Sequence, residues 1–485
     1  MHRTGPIRSR LACALSAVLV GSTLAVTGVS GAAGAATATT APKASAGGWD
    51  PRIAPIAREV AKLRDLAFEH PVPVRFLSKA AFEKQQRSKP SSLTKAQKAE
   101  LARSQAQLRA LGLIGQDVDL FKAGNDISAT DVAAYYDPET KRITVNGDGA
   151  LDAAKKVTLA HELTHALQDQ HFDLQELERN AARDHAEAPL RAIVEGDAVR
   201  IQNLYQQQLP AADQKAAEAQ MQADGASARA SASQQQVPQM LLALFEAPYD
   251  FGPSLLQVAA STPGGVDGLF RKPPTNDSAY LTPSTVVDHA RFRTVATPKV
   301  AKGEHEVGTP DVFGAFALYL VLASRLGPQA ALPVADGWGG DSMISLRRDG
   351  HDCVRARFVG RDAASTNAIG DALQQWAAPL SADAATVDTA DGSVTLTACD
   401  TGNAVPAVAH DGDEVLAFAA ARDQLYGTLL QQHAPSKIAQ CSADGIVRDP
   451  SFAPVLANPD QEPSNDQLAT LRQHVATIET RCATS

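Results

Sequence analysis

The sequence predicts an α+β protein in which helix far outweighs strand. Apolar residues make up 44% of the 485 but aromatics only 5%, so Ala supplies much of the core, which suits closely packed helices. Apolar residues recur at three- and four-residue spacing at Ile53, Ile56, Val60, Leu63 and Leu66, and again across 237–259 and 312–326. Alternating runs are shorter and fewer, and turn residues bound them.

Arg3, Arg8 and Arg10 precede an apolar stretch over 11–29, and small residues such as Ala33, Ala35 and Ala36 follow. Residues 1–36 therefore read as a secretory signal peptide, which takes Cys13 with it, and 37–48 as a flexible leader. The helix begun at Ile53 stops at Pro71 and Pro73. A short strand over 72–77 and a helix over 94–111 follow, so 49–125 forms an N-terminal α/β region that is a candidate for a removable pro-segment. Runs at 132–136 and 142–145 flank Asp137-Pro138 and predict a hairpin. A helix is expected from about 151, another over 188–208, then an Ala- and Gln-rich tract at 211–236 that reads as an exposed helix or mobile insert. The helices at 237–259 and 312–326 complete a region bounded at 126–330. Gly337 to Asp341 reads as a turn into a small α+β region, 331–485, with strands at 342–346, 353–359 and 393–398, a helix at 364–376, and late helices at 415–433 and 467–478.

An exported chain meets oxidising surroundings, and Cys353, Cys399, Cys441 and Cys482 make an even set. The most local pairing joins Cys353 to Cys399 and Cys441 to Cys482. A net charge of -9 lacks the basic footprint for a nucleic-acid partner or an acidic lipid surface. After the leader no apolar run reaches the ~18 residues of a membrane span. There is no internal repeat of the kind an extracellular structural protein would show.

Chemistry concentrates at His161-Glu162-Leu163-Thr164-His165. On a helix, residues four apart lie about 40° apart around the axis, so both imidazoles can grip one metal ion. Imidazole nitrogen suits zinc, and Glu162 projects beside the pair, where it can take a proton from a zinc-activated water and so attack a peptide bond at neutral pH. Leu159, Ala160, Leu163 and Leu167 share the other side, so one face is expected to pack and the other to line a cleft.

A third ligand is needed, and His171, His185, Glu187, Glu195 and Asp197 are the candidates downstream. His171 has the six-residue spacing that metzincins use, but Gln168 stands where a glycine would let the chain turn. Glu195 and Asp197 lie on the next helix near its apolar stripe of Leu190, Ile193, Val194, Ala198, Ile201 and Leu204, where a carboxylate needs a partner. A metal would satisfy one, and the outer N–H of a ligating histidine the other. The ordinary alternative is a helix ion pair, Glu195 with Arg191 or Asp197 with Arg200. Helical phase alone does not choose between the two carboxylates.

The helix at His161, Glu195-Gly196-Asp197-Ala198, Pro248-Tyr249, Pro273-Pro274 and the segment from Gly337 to Asp341 together resemble secreted bacterial zinc metallopeptidases of the gluzincin type. The resemblance spans about 60–341. It implies a zincin-like catalytic domain at 126–330, one Zn2+ held by His161, His165 and Glu195, and Glu162 as general base. In the best-known gluzincins an Asp follows the ligand Glu by four residues, whereas Val199 occupies that position here, so Asp197 would have to support the site from a different angle. Tyr249, Tyr280 and His289 are candidates for an oxyanion donor. Tyr135 and Tyr136 of the hairpin offer an edge strand to an extended substrate. The expected function is an exported zinc-dependent peptidase acting on peptide or protein substrates; the rival is a catalytically silent metal-binding module that recognises a partner through the same cleft.

Overall fold

A computed structural model describes residues 48–484 except 88, 130–132, 148, 261–263, 288–291, 403–408, 453 and 456–463. The expected signal peptide, the leader up to 47, Val132 and His289 lie outside the described residues. The fold is α+β and predominantly helical, as the periodicity predicts.

The N-terminal half begins with α1 (Ala54–Arg64), β1 (Val74–Leu77), α2 (Lys79–Gln86), α3 (Lys95–Ala110) and α4 (Leu120–Ala129). Thr94 and Gln97 form a reciprocal capping box at the start of α3. The hairpin strands are β2 (Ala134–Asp137) and β3 (Arg142–Asn146). β1 joins them in parallel with β3, giving the order β1-β3-β2 with β2 at the edge. Then come α5 (Ala153–Phe172), capped by the Asp152 carboxylate on Lys155 N, α6 (Leu174–Asp184) and α7 (Glu187–Gln208).

The Ala- and Gln-rich tract is a helix, α8 (Ala211–Gln234), rather than a loose insert. It buries Ala217 and Met221 in the same cluster as α5, so it is not wholly exposed either. Next are α9 (Gln239–Ala259), the short α10 (Gly265–Arg271), α11 (Ser278–Leu281) and α12 (Ser284–Val287), β4 (His305–Glu306), α13 (Ala315–Leu326) and α14 (Pro328–Asp336).

A second sheet follows, with β5 (Trp338–Arg348), β6 (His351–Gly360), α15 (Ala363–Ala377), β7 (Ala385–Ala390) and β8 (Ser393–Cys399), in the antiparallel order β4-β5-β6-β8-β7. The segment read as a turn, Gly337 to Asp341, is mostly strand: β5 starts at Trp338 and bulges before Gly340. Its glycines serve close approach instead, since a Cβ on Gly339 would lie 2.5 Å from the Gly360 carbonyl and one on Gly340 2.2 Å from Arg293 O. The chain ends in α16 (Gly412–Gln431), α17 (Ser436–Arg448) and α18 (Asn465–Thr484). Cys353 and Cys399 are register partners on β6 and β8, and Cys441 ties α17 to Cys482 of α18, so the local pairing holds.

Two apolar clusters organise these elements. The larger runs from Leu108 to Val447, so the boundaries expected at 125/126 and 330/331 do not separate independent cores. The smaller gathers α1, the three-stranded sheet, the apolar side of α5 and part of α8. α7 belongs to both: Leu190, Ile193 and Val194 enter the large cluster, Ile201 and Tyr205 the small one. Among the described residues no helix is long and apolar enough to cross a membrane.

Candidate metal centre

The seam between the two clusters is where the predicted ligands meet. His161 and His165 stand one turn apart on α5, and α7 packs along that helix. A third helix fixes how deeply α7 sits. A Cβ on Gly196 would lie 2.4 Å from the Gly252 carbonyl carbon, and one on Gly252 2.3 Å from Ala192 O, so α7 and α9 touch backbone to backbone. Only glycine allows that approach. Glu195 precedes this contact directly and is thereby held against α5.

His161 Nε2 lies 3.0 Å from His165 Nε2, and Glu195 Oε2 is 3.3 Å from each of them. This triangle is the geometry a cation needs. Donors about 2.0–2.1 Å from a tetrahedral zinc ion are separated by about 3.3 Å, so the three atoms fit three corners of one coordination sphere. The group is also the one set of three metal-binding side chains found this close together among the described residues. Burial holds His161 down to about 4, outweighing the Glu195 hydrogen bond that pulls the other way, so its ring is neutral, the form that ligates.

Glu162 is anchored from the sheet: Tyr136 N donates to its Oε2 at 2.6 Å. β2 is the edge strand, as the peptide-docking expectation needs, but this N–H is already engaged by Glu162. Gln168, the position noted for its missing glycine, takes part after all. It contacts His165 Nδ1 through Oε1 at 3.1 Å and donates from Nε2 to Val194 O at 3.0 Å and Asp197 Oδ2 at 3.1 Å. Asp197 therefore meets no histidine directly, contrary to expectation. Its partners are Arg64 at 2.7 Å and Arg200 at 2.8 Å besides Gln168. Gln202 is a further buried polar residue of α7, on the same helix as Glu195. Sequence reading assigned Gln168 no role beyond its missing glycine and assigned Arg64 none; the signal available was a polar side chain on the buried side of each helix.

The cleft-facing expectation is corrected. His161 is 0%, Glu162 1%, His165 2% and Glu195 0% exposed, and α5 is buried all round from Val157 to Asp169. The centre is closed in this structure. Tyr249 of α9 contributes to that closure, its ring stacked on His161 with centroids 6.5 Å apart.

No family model, curated protein or solved structure matches the chain.

Other candidates lie elsewhere. His171 Nε2 contacts Ala67 O at 2.7 Å, away from the triad. Tyr280 donates its hydroxyl to Ala188 O at 2.7 Å and packs between Phe251 and Phe316, so it is a core residue. His289 is not among the described residues.

His185 and Glu187 line a separate cavity of about 380 Å³ together with Asp277, Asp311 and Asp341. Its carboxylates mostly hold structure. Asp277 accepts from Ala315 N and Phe316 N, and Asp341 from Phe313 N, Gly314 N and the Trp338 indole, which together cap the start of α13. Burial pushes Asp341 up to about 6 despite those donors. A carboxyl with a raised folded pKa contributes stability that is fully present below its unfolded value and lost as pH rises through about 6. Asp341→Asn is thus expected to flatten the fall in stability between about pH 4 and 7, read from urea unfolding midpoints across that range. An unchanged slope contradicts this.

Proposed function

We propose that the chain is an exported zinc-dependent peptidase of zincin-like architecture, with His161, His165 and Glu195 holding one zinc ion and Glu162 as general base. The observation that carries the reading is the 3.0–3.3 Å triangle of donor atoms with Glu162 next to it in sequence. When bound, zinc supplies Lewis acidity, polarising a peptide carbonyl and lowering the pKa of water towards ~7. The protein's own residues do the rest. Glu162 takes the proton from the attacking water and passes it to the leaving amine, and the Tyr136 N–H fixes which oxygen is committed to the strand. Of the two candidate donors among the described residues, Tyr280 is committed to Ala188 O and Tyr249 lies beside His161, which favours Tyr249 for meeting negative charge on the substrate oxygen. Two pairs of cysteines at disulfide distance support export.

Complete burial of the four residues favours a second reading, in which the metal holds α5 and α7 together and no substrate is cut. One experiment separates them. The purified chain is expected to carry about one zinc per molecule, to lose it in His161→Ala, and to cleave unfolded casein in a chelator-sensitive manner that Zn2+ restores. Zinc that raises the unfolding temperature without any cleavage favours the second reading; a ligand at 1,000 times its Kd stabilises by about 4 kcal/mol. Absence of bound zinc refutes both.

A further inference from the structure

Beyond the ligands, a continuous hydrogen-bonded path leads from the centre to α1. His165 Nδ1 meets Gln168 Oε1, Gln168 Nε2 meets Asp197 Oδ2, and Arg64 Nε meets that same oxygen at 2.7 Å. Arg64 also reaches Asp267 Oδ1 through Nη2 at 2.6 Å. All of the path from His165 to Arg64 is buried.

The chemistry of each group fixes the next. Val194 O and the Asp197 carboxylate only accept hydrogen bonds, so both must face the amide nitrogen of Gln168. The amide oxygen is then turned towards His165. An oxygen there requires that His165 carry its proton on Nδ1, which leaves Nε2 as the lone pair facing His161 and Glu195. Asp197 is fully buried, and a carboxylate in such a place persists only with cationic donors around it. Arg64 and Arg200 are those donors, and of the two Arg64 is the more deeply buried.

The geometry points to Gln168 as a positioning residue that sets the tautomer and orientation of His165 for the metal, held in turn by Asp197 and by Arg64 of α1. The inference rests on the metal-binding reading above. It makes α1 a working part of the centre: a chain that lost the segment carrying Arg64 would keep all three ligands and still bind metal poorly.

The test measures Zn2+ affinity by competition with a chromophoric chelator, and the visible spectrum of the Co2+-substituted protein, in the full chain. Gln168→Leu is expected to weaken Zn2+ binding about 10–100-fold and to alter the Co2+ spectrum. Arg64→Met is expected to act similarly. Asp197→Asn removes the charge that needs Arg64 while keeping an oxygen for Gln168 to donate to. In that background Arg64→Met should change Zn2+ affinity less than 2-fold, and this double variant also serves if Arg64→Met alone does not fold. Wild-type affinity and spectrum in Gln168→Leu overturn the relay while leaving the metal centre intact. An equal loss from Arg64→Met in both backgrounds removes Arg64 from the path. A wild-type chain that binds no Zn2+ refutes the metal reading itself, and the relay with it.

Discussion

Glu162→Gln is expected to lower peptide hydrolysis by about 10²–10⁴-fold while about one zinc ion stays bound. The replacement is nearly isosteric, and its amide oxygen can still accept from Tyr136 N, the bond that ties α5 to the edge strand. What disappears is the ability to take and return a proton. Neither imidazole nor Glu195 is altered, so metal content should match the wild type. Casein digestion and zinc analysis of the same preparation check both halves. Cleavage retained at the wild-type rate would remove Glu162 from the reaction; zinc lost together with activity would assign it to metal binding instead.

Gly196→Ala is expected to destabilise the fold by about 3 kcal/mol or more, at the upper end of what overpacking costs. The added methyl would sit 2.4–2.6 Å from three backbone atoms of Gly252, and no flexible side chain is there to yield. α7 and α9 must separate, and Glu195, the neighbouring residue, is carried with α7. Zinc affinity should therefore fall along with stability. Gly252→Ala attacks the same contact from the other helix, through Ala192 O and Gly196, and is expected to reproduce both effects. Denaturant unfolding with a zinc titration measures the pair. A Gly196→Ala chain with wild-type stability would mean the helices can slide apart at no cost, and the close crossing would then explain nothing about where Glu195 sits.

Much of the chain was legible because its signals are local. Thr94 with Gln97, Asp152 before α5, and the Asp137-Pro138 turn mark element ends through bonds that span only a few residues. Other signals misled because one residue type serves two purposes. The glycines between Gly337 and Asp341 look like a turn, yet they let β5 pass against Gly360 and Arg293, which lie far off in sequence. The Ala- and Gln-rich run at 211–236 left an exposed helix and a mobile insert both open; it is a helix, and its partial burial was not foreseen because Ala217 and Met221 pack into the cluster that α5 supplies.

The same division runs through the site. The sequence by itself determined the donor types, because His161 and His165 are brought side by side by the pitch of one helix, with Glu162 between them. It also narrowed the third ligand to a few residues. Only the tertiary structure decided for Glu195 over Asp197, sent His171 to Ala67 O, routed Asp197 through Gln168 to Arg64, and closed the centre where an open cleft was expected. The physical reason is range. A helix dictates neighbours within a turn or two, whereas the distance between two helices is set by what separates their axes, here a pair of glycines 56 positions apart whose missing side chains no periodicity announces.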